Sequence, residues 1–84
     1  MFYVYVLQNS QSILYKGSTR HLSFRINQHN GKGWYPSYTK SRGPWKLVYF
    51  EKFTNRSEVI KREKFLKTGK GREFLRSVMS SAKM

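Results

Sequence analysis

The sequence lacks cysteine and aspartate, and these absences remove several classes of site. With no thiol among 84 residues, disulfides, thiolate zinc sites and cysteine nucleophiles are excluded. The only acidic residues are four Glu and there are two His, so a closed metal cage with several protein ligands is not expected. No run approaches the length of a transmembrane helix, and the N-terminus has neither the basic leader nor the cleavage site of a signal peptide. We expect one cytoplasmic domain over residues 1–84.

Positive charge is the dominant feature of the composition. Lys and Arg number 17 and the formal net charge is +13, a self-repulsion that a bound polyanion relieves. Nucleic acid is therefore the first partner to consider, and an anionic membrane is the second. Aromatic residues make up 17% of the chain, which argues against a disordered basic tail. Membrane binding needs a basic helix with an exposed apolar face, whereas the apolar faces here are expected in the core.

Six elements follow from the pattern of apolar residues, turn residues and helix caps. The sequence predicts strands over residues 2–7, 13–16 and 45–51, and helices over residues 20–29, from 55 to about 67, and from 72 to about 79. Gly17 is expected to end the second strand, and Ser18 or Thr19 to cap the first helix. Asn55 with Glu58 three residues later has the form of a capping box. The order β-β-α-β-α-α predicts an α+β fold with a three-stranded antiparallel sheet flanked by helices.

Two glycines and one long segment complete this outline. Gly69 and Gly71 are expected to separate the last two helices. The segment 31–44 is predicted to be a loop, and a loop of this length in so small a domain is usually functional or disordered. It carries three aromatic and three cationic side chains: Trp34, Tyr35, Tyr38, Lys32, Lys40 and Arg42. They suit stacking on unpaired bases, or alternatively a small cluster that fixes the loop, and the neighbouring cations favour nucleic acid.

Glu63 breaks the apolar pattern of its helix. It lies four residues after Val59 and three before Leu66, on the stripe that also contains Ile60. A carboxylate at such a position costs desolvation free energy unless it is paired or binds a cation. An ion pair with a Lys or Arg and a metal-binding or catalytic role are both compatible with this spacing.

Arg25 and His29 form a second candidate site. They are four residues apart and share one face of the first predicted helix, which Leu22 and Ile26 border. An arginine there can bind a phosphate through two hydrogen bonds, and a histidine can position or deprotonate a water molecule. The alternative is a solvated basic face with an ordinary surface histidine.

Three tyrosines on the predicted hairpin have two interpretations as well. Tyr3 and Tyr5 share one face of the first strand, and Tyr15 lies on the second. Packing within the sheet accounts for such rings without any function, since tyrosine is common in strands. A functional role requires a phenol close to a cation or an arginine, where it can act as a base.

Together these residues resemble the GIY-YIG nuclease family, and within it the small single-domain members related to the nuclease domain of the bacterial nucleotide-excision repair enzyme. The two naming triplets correspond to Tyr3-Val4-Tyr5 and Tyr15-Lys16-Gly17. Arg25, His29 and Glu63 then follow in the order and spacing of the family. The stretch 69–75 is also similar to that of the small members, so the resemblance covers nearly the whole chain.

The resemblance implies a chemistry and a role for each matching residue. It implies cleavage of phosphodiester bonds with one Mg²⁺ or Mn²⁺ ion, which Glu63 holds. It also implies that Arg25 stabilises charge on the phosphate, that Tyr5 acts as or assists the general base, and that His29 orients water or phosphate. Tyr15 lines the site. The expected nucleic-acid contacts are Tyr3, Gly17, Lys32, Lys40, Arg42 and Lys67.

The chain also departs from the family pattern. Tyr3 replaces the glycine of the first triplet, Lys16 replaces the isoleucine of the second, and no asparagine follows Glu63. The resulting hypothesis is a metal-dependent endonuclease acting on DNA in preference to RNA, on structured or damaged DNA, with low sequence specificity. It leaves room for a protein partner that supplies targeting and includes no membrane. The alternative is a nucleic-acid-binding module of the same fold with weak or no catalysis.

Overall fold

The sheet has three antiparallel strands in the order β2-β1-β3. A computed structural model of the chain describes residues 1–30 and 43–82. In these residues β1 spans Phe2–Gln8, β2 Leu14–Thr19 and β3 Lys46–Phe53, while α1 spans Leu22–His29, α2 Arg56–Leu66 and α3 Gly69–Ala82. The α+β architecture and the order β-β-α-β-α-α predicted from sequence are confirmed.

The central strand β1 contributes to two separate cores. Successive side chains of a strand point to opposite faces of the sheet. Val4 and Val6, both fully buried, pack with Leu66 and other apolar residues of α2 and α3. Tyr5 and Leu7 point the other way and pack with α1 and with Trp45. The sheet is therefore covered by α1 on one face and by α2 and α3 on the other.

The turn between β1 and β2 fixes the register of the hairpin. The side chain of Asn9, which is 7% exposed, accepts hydrogen bonds from the backbone N–H groups of Gln11 at 3.0 Å and Ile13 at 2.9 Å. Ser12 adopts a left-handed conformation with φ of 65°. The resulting register pairs Tyr5 with Gly17, which brings the two tyrosine-containing triplets together.

The first helix and the second strand differ from their predicted bounds. β2 continues through Gly17 to Thr19, because an antiparallel partner in β1 satisfies the backbone and the missing side chain leaves room for a neighbouring ring. Neither Ser18 nor Thr19 caps α1. The N-cap is His21, and the Thr19 hydroxyl accepts a hydrogen bond from the His21 N–H at 3.0 Å.

The second helix begins as predicted and presents one unexpected side chain to solvent. Asn55 is the N-cap of α2, and its side chain accepts a hydrogen bond from the Glu58 N–H at 3.1 Å. Val59 and Leu66 are buried. Ile60, which the periodicity assigns to the apolar side, is 37% exposed and borders a groove beside β2.

An ion pair joins α2 to β3 on the face of the sheet that α2 covers. Arg62 donates to Glu51 through Nε at 2.9 Å and through Nη2 at 3.0 Å, a geometry in which both carboxylate oxygens are used. The Tyr49 hydroxyl also donates to this carboxylate. The guanidinium lies over the rings of Phe65 and Phe74, at 4.9 and 4.8 Å from their centroids. The polar group of Arg62 is thus satisfied while its plane packs on apolar surface.

Gly71 lies inside α3 and does not interrupt it. The helix starts at Gly69, and the Thr68 hydroxyl accepts a hydrogen bond from the Gly71 N–H at 3.1 Å. A Cβ atom at position 71 would lie 2.0 Å from the carbonyl oxygen of Phe65 and 2.5 Å from the Cα of Leu66. Gly71 therefore permits the start of α3 to pass against the end of α2, which is a tertiary requirement.

Within residues 1–30 and 43–82, the helices are too short or too polar for any of them to traverse a lipid bilayer.

We expect Gly71→Ala to lower the free energy of unfolding by about 3 kcal/mol or more, because the added methyl group meets backbone atoms that cannot move independently. Gly69→Ala is the matched control. Its nearest neighbour is the flexible end of Arg72 at 3.9 Å, so its effect should stay within about 1 kcal/mol. Urea denaturation of the two variants measures both values, and equal destabilisation would contradict the close-approach explanation.

Candidate functional site

Two phenols and one imidazole form a cluster between β1, β2 and α1, in which Tyr5 and His29 are buried and Tyr15 is half-buried. The Tyr5 hydroxyl and Nε2 of His29 are 2.8 Å apart. The ring of Tyr15 lies 4.8 Å from that of His29 and 6.4 Å from that of Tyr5, measured between centroids. Tyr5 is 1% exposed and His29 is fully buried. These three side chains, which the sequence places on three separate elements, are thus in mutual contact.

Gly17 is the reason that the Tyr5 ring can occupy this position. It is directly opposite Tyr5 in the sheet. A Cβ atom at Gly17 would lie 2.6 Å from the hydroxyl oxygen and 2.8 Å from Cζ of Tyr5. A side chain there would displace the phenol from His29. The glycine therefore acts on the site through the space it leaves.

His29 is the titratable group of the cluster. Burial lowers the pKa of its imidazole, and the positive charge of Arg25, one turn earlier on α1, lowers that pKa further. Both effects favour the neutral ring. Which group donates in the contact with Tyr5 depends on the tautomer of the ring. In the tautomer with its proton on Nδ1, Nε2 accepts the hydrogen bond from the Tyr5 hydroxyl.

Asn30 and Trp45 support the cluster from the end of α1. The Asn30 side chain donates from Nδ2 to the carbonyl oxygen of Trp45 at 3.0 Å, and its Oδ1 accepts from the N–H of the same residue. The Trp45 ring, 4% exposed, lies 6.3 Å from the ring of Tyr15. The sequence pattern places Asn30 directly after the first predicted helix and Trp45 at the start of the third predicted strand. Neither position indicates that the two residues are hydrogen-bonded to each other.

Glu63 lies on the other side of the sheet from the phenols. Its helix α2 packs on the face to which Val4 and Val6 point, and the exposed fraction of its side chain is 23%. Oε2 accepts a hydrogen bond from Nζ of Lys67 at 2.9 Å. An ion pair is one of the two interpretations of this position. Because Lys67 is 54% exposed and has a flexible side chain, this pairing leaves the carboxylate available to another cation.

The donor set of Glu63 fits an open divalent-metal site. Residues 1–30 and 43–82 contain no group of three or more His, Asp or Glu side chains that could enclose an ion. Mg²⁺ is commonly held by one or two carboxylates and completes its shell with water and substrate phosphates. A single half-buried carboxylate whose ion-pair partner is an exposed lysine is compatible with that description.

The remaining predicted site residues lie on both faces of the sheet or outside the described residues. Tyr3 points to the same face as Tyr5, and its ring is 6.2 Å from that of Phe50. Arg25 is half-buried beside His29, and Lys67 pairs with Glu63. The predicted contacts Lys32, Lys40 and Arg42 lie outside the described residues. The candidate residues thus flank β2, with the phenols and His29 on one face and Glu63 with Lys67 on the other.

Comparisons with known proteins agree on one family. The profile of the GIY-YIG catalytic domain matches residues 1–75. The chain is 48% identical over 67 residues to a UPF0213 protein of Clostridium perfringens, covering 80% of this chain and 71% of that protein. It is 42% identical over 62 residues to a UPF0213 protein of Oceanobacillus iheyensis, covering 73% and 70%. The solution NMR structure of a UPF0213 protein from Bacillus halodurans is similar with a TM-score of 0.56 and 33% identity, covering 93% of this chain and 85% of that one.

We expect the free energy of unfolding to fall as the pH is lowered from about 7.5 to about 5.5. The pKa of His29 is lowered in the folded state. As the pH falls through the ordinary pKa of histidine, the unfolded chain therefore binds more protons than the folded one, and acid favours unfolding. His29→Gln should flatten this slope, whereas His21→Gln, at an exposed position, should retain it. Denaturation midpoints across this pH range measure the effect, and an unchanged slope in His29→Gln would contradict it.

Proposed function

Because this chain belongs to the GIY-YIG nuclease family, we propose that it is an endonuclease that cleaves phosphodiester bonds in DNA with one Mg²⁺ or Mn²⁺ ion. The observation that carries the proposal is the hydrogen bond between the buried Tyr5 hydroxyl and His29. It links a phenol of the first family triplet to a neutral imidazole that can accept its proton. Gly17 of the second triplet leaves space for that phenol.

The phenol and the imidazole supply the proton path. In the proposed reaction a water molecule attacks phosphorus and the bond from phosphorus to the leaving ester oxygen breaks. Tyr5 takes the proton of the attacking water while its own hydroxyl proton passes to Nε2 of His29. Tyr15, whose ring packs on His29, limits the movement of the imidazole and keeps bulk water away from it. The leaving oxygen takes a proton from solvent, and His29 releases to solvent the proton that it received, which restores the starting state of the site.

Charge stabilisation comes from the two sides of the edge strand. We place the scissile phosphate at the free edge of β2, between the face of the sheet that α1 and Arg25 cover and the face that α2 and Glu63 cover. Glu63 is the residue that would hold the divalent ion. When bound there, the ion would neutralise charge on the phosphate and would lower the pKa of a water molecule. Arg25 adds a guanidinium, which matches the planar geometry of phosphate oxygens.

The net charge supports the choice of substrate. A formal charge of +13 on 84 residues favours phosphate contacts that do not depend on base sequence, so we propose low sequence specificity and a preference for structured or damaged DNA. The departure that favours a binding module without efficient catalysis is the absence of an asparagine after Glu63. That alternative predicts salt-sensitive DNA binding without turnover.

Replacement of the proposed metal ligand tests the enzyme. We expect Glu63→Gln to lower the rate of Mg²⁺-dependent plasmid nicking by at least about 100-fold, because the carboxylate charge that holds the ion is removed. Glu73→Gln, at an exposed position of α3, removes the same charge elsewhere and should nick at the wild-type rate. Equal nicking by both variants would refute the assignment of Glu63. Salt-sensitive binding with no nicking by any variant would favour the binding module.

Metal binding can be measured separately from cleavage. Mn²⁺ should broaden the backbone amide NMR signals of residues near Glu63 in the wild-type protein, since the ion is paramagnetic. The same titration of Glu63→Gln should leave those signals sharp, and that of Glu73→Gln should reproduce the wild type. Broadening that persists in Glu63→Gln would place the ion elsewhere, whatever the activity of the variants.

Removal of single hydroxyl groups tests the proton path. We expect Tyr5→Phe to reduce the nicking rate by about 100-fold or more, because the ring is retained and the acceptor of the water proton is lost. Tyr49→Phe is the matched control, since its hydroxyl bonds to Glu51 on the opposite face of the sheet. A Tyr5→Phe variant as active as Tyr49→Phe would exclude Tyr5 from the chemistry.

A further inference from the structure

A groove lies between the end of β2 and the start of α2, and it contains two arginines. Its lining includes Phe2, Ser18, Thr19, Arg20, Arg56 and Ile60. The guanidinium of Arg20 lies over the Phe2 ring at 5.3 Å from the centroid, which holds the charge at the rim. Arg56 is the first residue of α2 and is exposed. Two guanidinium groups, two hydroxyls and apolar side chains suit a sugar–phosphate backbone.

A second group of cations lies beyond this groove, where Lys16 of β2 is close to the end of α2 and the start of α3. Lys16 of β2 is half-buried, and burial together with the positive charges of Arg72 and Lys67 lowers the pKa of its amine. Arg72 donates from Nη1 to the carbonyl oxygen of Lys67 at 3.3 Å, which fixes the start of α3 against the end of α2. Arg72 and Arg76 also line a depression that reaches Leu14 of β2.

Glu63 lies between the two groups. Along α2, at about 1.5 Å per residue, it is about 10 Å from Arg56 and about 6 Å from Lys67. Phosphates of one B-form strand are spaced about 3.4 Å apart along the axis. The length of α2 between Arg56 and Lys67 thus corresponds to several consecutive phosphates, and the proposed metal ligand lies within that length.

Four cations along β2 and α2 lack an acidic partner within the described part of the chain. The ion pairs among the described residues join Arg62 to Glu51 and Lys67 to Glu63. Over residues 1–30 and 43–82, the remaining cations Arg20, Arg56, Lys16 and Arg72 have no carboxylate partner. Like charges held close together favour binding of an anion, because the anion removes their mutual repulsion.

We propose that the surface along β2 and α2, from this groove to the second group of cations, is the path of the DNA strand, with Arg20 and Arg56 binding phosphates on one side of Glu63 and Lys16 and Arg72 binding phosphates on the other. The inference rests on the proposed function and adds the course of the substrate across the domain. On this path the DNA strand follows the α2 side of β2, so that the cleaved bond lies within reach of the free edge of β2.

DNA binding without cleavage tests the path. Fluorescence anisotropy of a labelled DNA duplex in EDTA is measured for Arg20→Ala/Arg56→Ala and for Lys16→Ala/Arg72→Ala. The control Lys46→Ala/Lys52→Ala removes the same charge from exposed positions of β3, at the opposite edge of the sheet. Each double variant on the path should lose at least about 10-fold in affinity, and its salt slope should fall by about two units, one for each phosphate contact. The control should lose less than about 3-fold.

The outcomes separate the path from the proposed function. Equal losses in the double variants on the path and in the β3 control overturn the path while leaving nucleic-acid binding intact. Wild-type binding that is absent, or insensitive to salt between about 50 and about 200 mM, overturns the proposed function itself. Circular dichroism checks that each variant is folded. Because Lys16 is half-buried, its replacement can disturb folding, so the single variant Arg72→Ala, at an exposed position, provides a second test. It should lose affinity and about one unit of slope, and wild-type behaviour of Arg72→Ala counts against the path.

Discussion

Burial of β1 on both faces is the constraint from which the rest of the structure follows. Val4, Tyr5, Val6 and Leu7 are each at most 1% exposed, and they alternate between a core made with α2 and α3 and a core made with α1. A domain of this size buries little surface in total, so one strand that serves two cores is an economical solution. It also means that Tyr5 is held by packing before any chemistry is considered, because its ring is part of the core that positions α1.

The rigid placement of Tyr5 determines what its neighbours must be. The strand opposite needs a residue without a side chain, which is Gly17, and the helix above needs a group that satisfies a buried hydroxyl, which is His29. A buried hydroxyl without a partner costs about 1–3 kcal/mol. The hydrogen bond on which the proposed proton path depends is therefore also the one that stability requires. Polar groups on the other face are arranged in the same manner, since Glu51 satisfies both Arg62 and Tyr49.

The sequence predicts the order of the helices and strands and the family. It does not predict the contacts between residues that are distant along the chain. The Asn55 cap was predictable because its hydrogen bond spans three residues, and the fold class followed from element order. Gly17 and Gly71 both have the sequence context of element ends. Each instead lies inside an element and provides space for an atom distant in sequence or in the adjoining helix. Composition and spacing could identify Glu63 as an unusual position, yet only the structure shows that α2 carries it on the face opposite the phenols.

The paired hydrogen bonds between Asn30 and Trp45 have a consequence for how the family can vary. They fasten the end of α1 to the start of β3, so both boundaries of the intervening stretch are fixed beside Tyr15 whatever that stretch contains. The entropy of closing a chain segment grows only with the logarithm of its length. Insertions and deletions between these two anchors consequently cost little loop-closure entropy and leave the aromatic centre in place.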